Sequence, residues 1–296
     1  MKATLFCIWL VLLLHACDTK KEQPMNRNET VTDTAPAMKS GTAAVNGINM
    51  YYEIYGAGSP LVLIHGGGST IHTSFGRVIP ALAKNRQVIA LELQAHGRTS
   101  DRDQPETFEQ DADDVAALLH ELKISKADFF GFSNGGTTTM RIATRHPELV
   151  GKIIVGSAIY KRSGMPAGFW EAINQVTLKD MPQQLSDAYL EVTPDSTGLN
   201  RMFEKDRNRM IGFTDWNASD LQAIKAPTLI ICGDQDVVLP EHAVEMHRLI
   251  AGSRLVILPG LHGAYMGEIT TVKNDSVKSY YVTTLIDEFL NRKTRE

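Results

Sequence analysis

The chain has 296 residues, 43% hydrophobic and 22% charged, with a formal net charge of −4. These values fit a soluble globular protein with one large domain and a sizeable core. Lys and Arg are scattered rather than blocked, which argues against a nucleic-acid partner, and two of the three cysteines (7, 17 and 232) fall in the leader, which excludes an internal disulfide framework.

Residues 1–17 read as an export signal. Met1-Lys2-Ala3 gives a basic start, and the apolar run to Leu14 is too short for a transmembrane span. The end, Leu14-His15-Ala16-Cys17, resembles a bacterial lipobox, although His15 departs from its strict form. On that reading Cys17 is lipidated and anchors the protein to a membrane of the cell envelope, each buried acyl methylene adding about 0.8 kcal/mol. An ordinary cleaved signal, leaving a periplasmic or secreted protein, is the alternative. Residues 18–40 are polar, contain Pro24 and Pro36 and show no periodicity. They read as a disordered tether spanning on the order of 25 Å.

The folded domain is expected over 41–296. Strand-like runs at 42–45 and 48–55 flank Asn46-Gly47, the strongest short hairpin signal. Residues 61–64 form a continuous apolar run that ends at His65-Gly66-Gly67-Gly68, as expected of a strand buried on both faces. Similar runs recur at 88–91, 127–132, 152–155, 228–232 and 255–258. Helical stretches separate them; in 108–122 the apolar face is Val115, Leu118, Leu119 and Leu122. The alternation predicts an α/β fold with a mostly parallel, doubly wound sheet. Residues 160–217 break it. Their aromatic and methionine residues, set among charges, predict a helical cap insertion, and the rhythm resumes at Ala226-Pro227-Thr228.

The sharpest motif is Gly131-Phe132-Ser133-Asn134-Gly135, lying between a strand and a helix. A serine on such a turn is pushed out of the sheet beside a helix N-terminus, and small neighbours allow the turn. In this motif, in His65-Gly66-Gly67-Gly68, in His96-Gly97-Arg98-Thr99-Ser100-Asp101, in Gly233-Asp234-Gln235-Asp236 and in Pro259-Gly260-Leu261-His262, the chain resembles the α/β-hydrolase family, in its cap-bearing esterase and lactonase-like branch. The resemblance runs from about residue 45 to the C-terminus and implies an eight-stranded sheet with an N-terminal antiparallel hairpin. Ala95 and Thr99 depart from a loop that often reads Gly-His-Gly-Arg-Ser in the family.

A bare serine is a weak nucleophile. It needs a base, and the base needs a group that fixes its tautomer. In this fold they follow in the order Ser, acid, His. His262 fits, after the last strand. Of the other histidines, His65 and His96 belong to loops that shape the site, and His242 and His247 read as surface residues. Asp234 and Asp236 both follow the 228–232 strand; the resemblance implies Asp236 as the acid, with Asp234 stiffening the loop. It also implies backbone oxyanion donors at Asn134 and Gly67. His72, Phe132 and Tyr160 are candidates for substrate contact. Ser133 sets the chain apart from family relatives with an aspartate nucleophile, and Cys232 reads as an inert buried thiol. No metal-ligand spacing is present, so no metal is expected, and acyl hydrolysis needs no cofactor. The expected activity is hydrolysis of a small ester, thioester or lactone. Carbon–carbon bond hydrolysis on the same triad and a non-catalytic ligand receptor or binding lipoprotein are the alternatives.

Overall fold

The computed structural model describes residues 39–272 and 280–293. The leader with Cys17, and the tether as far as residue 38, lie outside the described residues. Eight strands form one sheet: β1 (Lys39–Val45), β2 (Ile48–Tyr55), β3 (Ser59–Ile64), β4 (Arg86–Leu91), β5 (Ala127–Phe132), β6 (Val150–Gly156), β7 (Thr228–Gly233) and β8 (Arg254–Leu258). Their spatial order is β1-β2-β4-β3-β5-β6-β7-β8. The hairpin β1–β2 is antiparallel and joins β4 antiparallel; every pairing from β4 across to β8 is parallel. One boundary is corrected. Lys39 and Ser40, expected at the end of the tether, pair with Ile54 and Glu53 of β2. Backbone pairing along the whole of β2 recruits them, and an edge strand needs no apolar side chains to do so.

The continuous apolar runs sit where both faces are covered. Leu61, Val62, Leu63 and Ile64 are fully buried. Alternate residues point to opposite faces. Val62, Ile64, Phe129, Val155 and Ile230 face one core layer, shared with α3 (Phe108–Glu121), α4 (Asn134–Arg145) and α9 (Pro240–Leu249). Leu61, Leu63, Phe130, Ile154 and Ile231 face the other, closed by α1 (Ile71–Phe75), α2 (Ile79–Leu82) and α10 (Tyr281–Asn291). Burying each such side chain stabilises the fold by about 1.5–3 kcal/mol. Thr107 caps α3 by accepting from the Gln110 N–H, and Glu109 and Asp111 lie in its first turn, where the helix dipole favours them.

Between β6 and β7 the chain forms four helices: α5 (Phe169–Ile173), α6 (Gln183–Val192), α7 (Ser196–Ile211) and α8 (Ala218–Gln222). Their apolar residues mostly pack this cap. Tyr189, Leu199 and Met202 cluster with Ala95, while Met165 and Phe213 cluster with Phe108 and Val238. Among the described residues no helix is long and apolar enough to cross a membrane.

Candidate active site

The C-terminal ends of β5, β7 and β8 deliver three side chains to one point. Ser133 bridges β5 to α4 with φ +55° and ψ −122°, a backbone conformation that L-residues rarely adopt. Two glycines make the turn possible. A Cβ on Gly131 would lie 2.0 Å from the Gly135 carbonyl oxygen, and one on Gly135 would lie 2.1 Å from the Ile64 carbonyl oxygen. Gly135→Ala should therefore destabilise the fold by about 1–3 kcal/mol, read as a lowered midpoint in urea unfolding. An unchanged midpoint would show that the helix can retreat from β3.

His262 stands on the loop after β8. Its Nε2 is 3.1 Å from Ser133 Oγ, and its Nδ1 is 2.6 Å from Asp236 Oδ1. The ring leans on Phe132, with centroids 4.7 Å apart. Asp236, on the loop after β7, is fully enclosed. Its Oδ2 accepts from Ser157 Oγ at 2.6 Å and from the Gly233 N–H at 3.1 Å, and its Oδ1 also accepts from the Val238 N–H at 3.0 Å. Burial alone would raise its pKa; the bond to His262 and the other donors hold it below the usual carboxylate value. Asp234 has a different partner. Its Oδ1 accepts from the Gly260 N–H at 2.7 Å and stiffens the turn that leads to His262.

Sequence reasoning missed Ser157. It follows β6 as Asp236 follows the neighbouring β7, holds φ +49°, and links Asp236 to the Tyr265 hydroxyl at 3.0 Å. Its place at the end of a central parallel strand was the available signal.

The glycine loop after β3 closes over the serine. A Cβ on Gly66 would meet Ser133 Cβ at 3.1 Å, and one on Gly67 would meet the Asn134 amide nitrogen at 2.6 Å. Gly67 and Asn134 together line a cavity of about 240 Å³ whose apolar walls come from the cap, among them Met181, Leu185, Phe203 and Met210. His65 fixes the loop from below. Its Nε2 accepts from the Leu93 N–H at 3.0 Å, and its Nδ1 lies 2.7 Å from the Gly66 carbonyl oxygen. Burial, with His96 beside it, lowers the His65 pKa to about 3, so the ring is neutral and Nδ1–H donates.

None of the three candidate substrate contacts lines the cavity beside Asn134; Phe132 lies against the His262 ring, and the other two have partners elsewhere. His72 Nε2 is 3.2 Å from Glu53 Oε2, and Tyr160 is buried with its ring stacked on His242 at 4.8 Å. His242 is not a surface residue, as its charged helix suggested. It is 3% exposed, and its Nε2 accepts from the Tyr160 N–H at 3.2 Å.

A buried ionic cluster joins the cap to the core. Arg209 of α7 bonds Asp206 and reaches Asp111 at 2.7 Å, with Glu106 at 3.6 Å. His96 Nε2 is 2.9 Å from Asp206 Oδ2. Burial would discharge His96, but the Asp206 carboxylate raises its pKa to about 9; burial pushes Glu106 up to about 8. Both groups thus keep a proton in the folded chain at pH values where the unfolded chain, with Glu near about 4.3 and His near about 6.5, has lost it. Their contribution to stability is full below those unfolded values and is lost as pH rises through about 8 and about 9. These two groups should accordingly lower the thermal midpoint as pH rises from about 4.3 to about 9, Glu106 acting up to about pH 8 and His96 from about pH 6.5 upward. Glu106→Gln, which cannot ionise, should make that fall shallower; an identical fall in the variant would exclude Glu106 as a source.

Comparison with known proteins adds an independent line. A family model described as alpha/beta hydrolase fold matches residues 59–207. Serine hydrolase BPHL of Homo sapiens is 30% identical over 243 residues, covering 78% of this chain and 82% of that protein. A 2-hydroxy-6-oxo-2,4-heptadienoate hydrolase of Pseudomonas putida is 26% identical over 234 residues, covering 71% of this chain and 84% of that one. The crystal structure of the enol-lactonase from Burkholderia xenovorans superposes with a TM-score of 0.66 at 24% identity, over 85% of this chain and 100% of that one, a likeness of fold.

Proposed function

Because the chain belongs to the α/β-hydrolase fold family and its relatives include a serine hydrolase, we propose that it is a serine hydrolase that cleaves a small ester, thioester or lactone through an acyl-enzyme on Ser133. The observation that carries this is the continuous chain from Ser133 Oγ to His262 to Asp236, at 3.1 and 2.6 Å. In the proposed reaction His262 Nε2 takes the hydroxyl proton as Oγ attacks the carbonyl carbon. Asp236 holds the Nδ1–H tautomer and steadies the imidazolium. The backbone N–H groups of Gly67 and Asn134 receive the developing oxyanion. His262 then protonates the leaving group, and water, activated by the same imidazole, releases the acid.

The cavity of about 240 Å³ beside Gly67 and Asn134 is smaller than those that enclose drug-sized ligands, which favours a short acyl group; its cap walls are largely apolar, with Asp180, Asp206 and Arg207 among them. Phe132, packed at a tilt against His262, serves in this reading to steady the ring rather than to select substrate. A second reading, carbon–carbon bond cleavage, draws support from the 26% identical dienoate hydrolase. A panel of p-nitrophenyl esters of rising acyl length, phenyl thioesters, γ-lactones and a vinylogous 2-hydroxy-6-oxodienoate separates the two. Fastest turnover on short esters, with a fluorophosphonate probe on the Ser133 peptide, supports the proposal. Turnover of the dienoate alone favours the second reading. Tight binding without turnover or labelling would mean a receptor.

A further inference from the structure

The loop Gly66–Gly68 has no side chains of its own to fix it, and Gly68 sits at φ +65°. Such a loop is free to wander, and a displacement of about 1 Å at a reacting centre can cost a hundredfold in rate. His65 and Ser74 hold its Gly66 end from the core, and the holder of its Gly68 end comes from the cap. Asp206 of α7 accepts from the Gly68 N–H through Oδ2, and its Oδ1 accepts from the Asn134 side-chain amide at 3.4 Å. One carboxylate therefore touches both sides of the oxyanion site: the residue next to Gly67, and Asn134 itself. It lies so close that a Cβ on Gly67 would meet Asp206 Oδ2 at 3.2 Å.

We infer that Asp206 is a positioning residue that keeps the two oxyanion donors in register, so that the site is complete only while the cap is seated. The inference rests on the acyl-enzyme reading of Ser133.

A bare carboxylate would be a poor choice here, since its charge would oppose an oxyanion forming nearby. The structure removes that objection. Arg209 bonds Oδ1, His96 lies 2.9 Å from Oδ2, and Arg209 is itself seated on Asp111 at 2.7 Å. With its charge balanced and its lone pairs occupied, Asp206 presents a fixed acceptor rather than a field. Its partners come from β3's loop, the loop after β4, the first turn of α4 and α7 itself, so no single element of the core could make the same clamp.

The test uses the full chain and the best p-nitrophenyl ester. Asp206→Ala should lower kcat by about a hundredfold with KM within about twofold. Its affinity for phenylboronic acid, which forms a tetrahedral adduct on the serine, should fall by the same factor. Asp206→Asn, which keeps one oxygen acceptor, should recover part of both losses. Should Asp206→Ala not fold, Asp206→Glu is measured instead: it keeps the charge but displaces the acceptor, and kcat and boronate affinity should again fall together. A raised KM with kcat kept, a fall in kcat without a fall in boronate affinity, or unchanged values would each overturn the inference. Turnover that survives Ser133→Ala would overturn the acyl-enzyme reading itself; a dead Ser133→Ala beside Asp206 variants equal to wild type overturns only the positioning role.

Discussion

Ser133→Ala should lower kcat by about 10⁴- to 10⁶-fold while KM and the thermal midpoint stay near those of the wild type. The fold has little stake in the hydroxyl. Among the described residues its one side-chain hydrogen-bond partner is His262, and the turn is fixed by Gly131 and Gly135, whose backbones leave no room for a Cβ. Alanine keeps the same Cβ at φ +55°, so the backbone cost is unchanged. What vanishes is the hydroxyl that His262 Nε2 reaches at 3.1 Å, the nucleophile of the proposed reaction. Cys232 cannot replace it: the thiol is buried in β7, and burial pushes its pKa up to about 12. Steady-state kinetics and thermal unfolding on the same preparation decide the matter. Loss of both activity and fold would point to a structural serine, and retained turnover would remove Ser133 from the mechanism.

Asp236→Asn should cost about 10⁴-fold in kcat. Both oxygens of Asp236 receive donors: Ser157 and the Gly233 N–H at Oδ2, His262 and the Val238 N–H at Oδ1. An amide has one oxygen. Placed either way, its NH₂ faces a backbone N–H. Turned toward His262, it also forces the ring proton onto Nε2, which then points a donor at Ser133 where an acceptor is needed. Turned the other way, it keeps the Nδ1–H tautomer but loses the carboxylate charge that steadies the imidazolium, so activity falls by a different route in each arrangement. The carboxylate also supports the fold on the acid side. Its folded pKa is depressed, so its contribution is present above the unfolded value of about 3.9 and is lost as pH falls through the lower folded one. Activity within tenfold of wild type would mean that another group orients the imidazole.

How much of this could be read in the sequence depended on the range of the interaction. β5 matched its apolar run end to end, because covering both faces leaves a local signature, and β2 matched because the Asn46-Gly47 turn marks where it starts. β4 starts two residues before its run, at Arg86, whose guanidinium is buried against Asp128 at 2.7 Å; a charge satisfied from another strand is invisible to hydropathy. Ser133 and His262 were legible because the fold fixes their order and each follows a strand. Asp236 could be separated from Asp234 only by family pattern, since both stand on the same loop; the structure separates them by partner. Asp206 and His96 were not legible as a pair. They are 110 positions apart, and a carboxylate on a mixed, charged helix looks like any solvated one. His242 was misread for the same reason, its neighbours Glu241, Glu245 and Arg248 hiding a ring that lies under Tyr160.

The cap leaves the sheet after β6 and returns at β7, and these strands are adjacent partners. Its two stems therefore emerge side by side, like the ends of a loop that could be cut out and replaced while the strands beneath stay paired. Such a graft would inherit Ser133, His262 and Asp236 intact, all of them rooted outside the exchanged piece. It would still arrive without its grip on the glycine turn unless the incoming helix carried a carboxylate at the level of Asp206 and a cation to balance it. Chimeras built at this joint should therefore divide by that one feature rather than by the size of the segment exchanged.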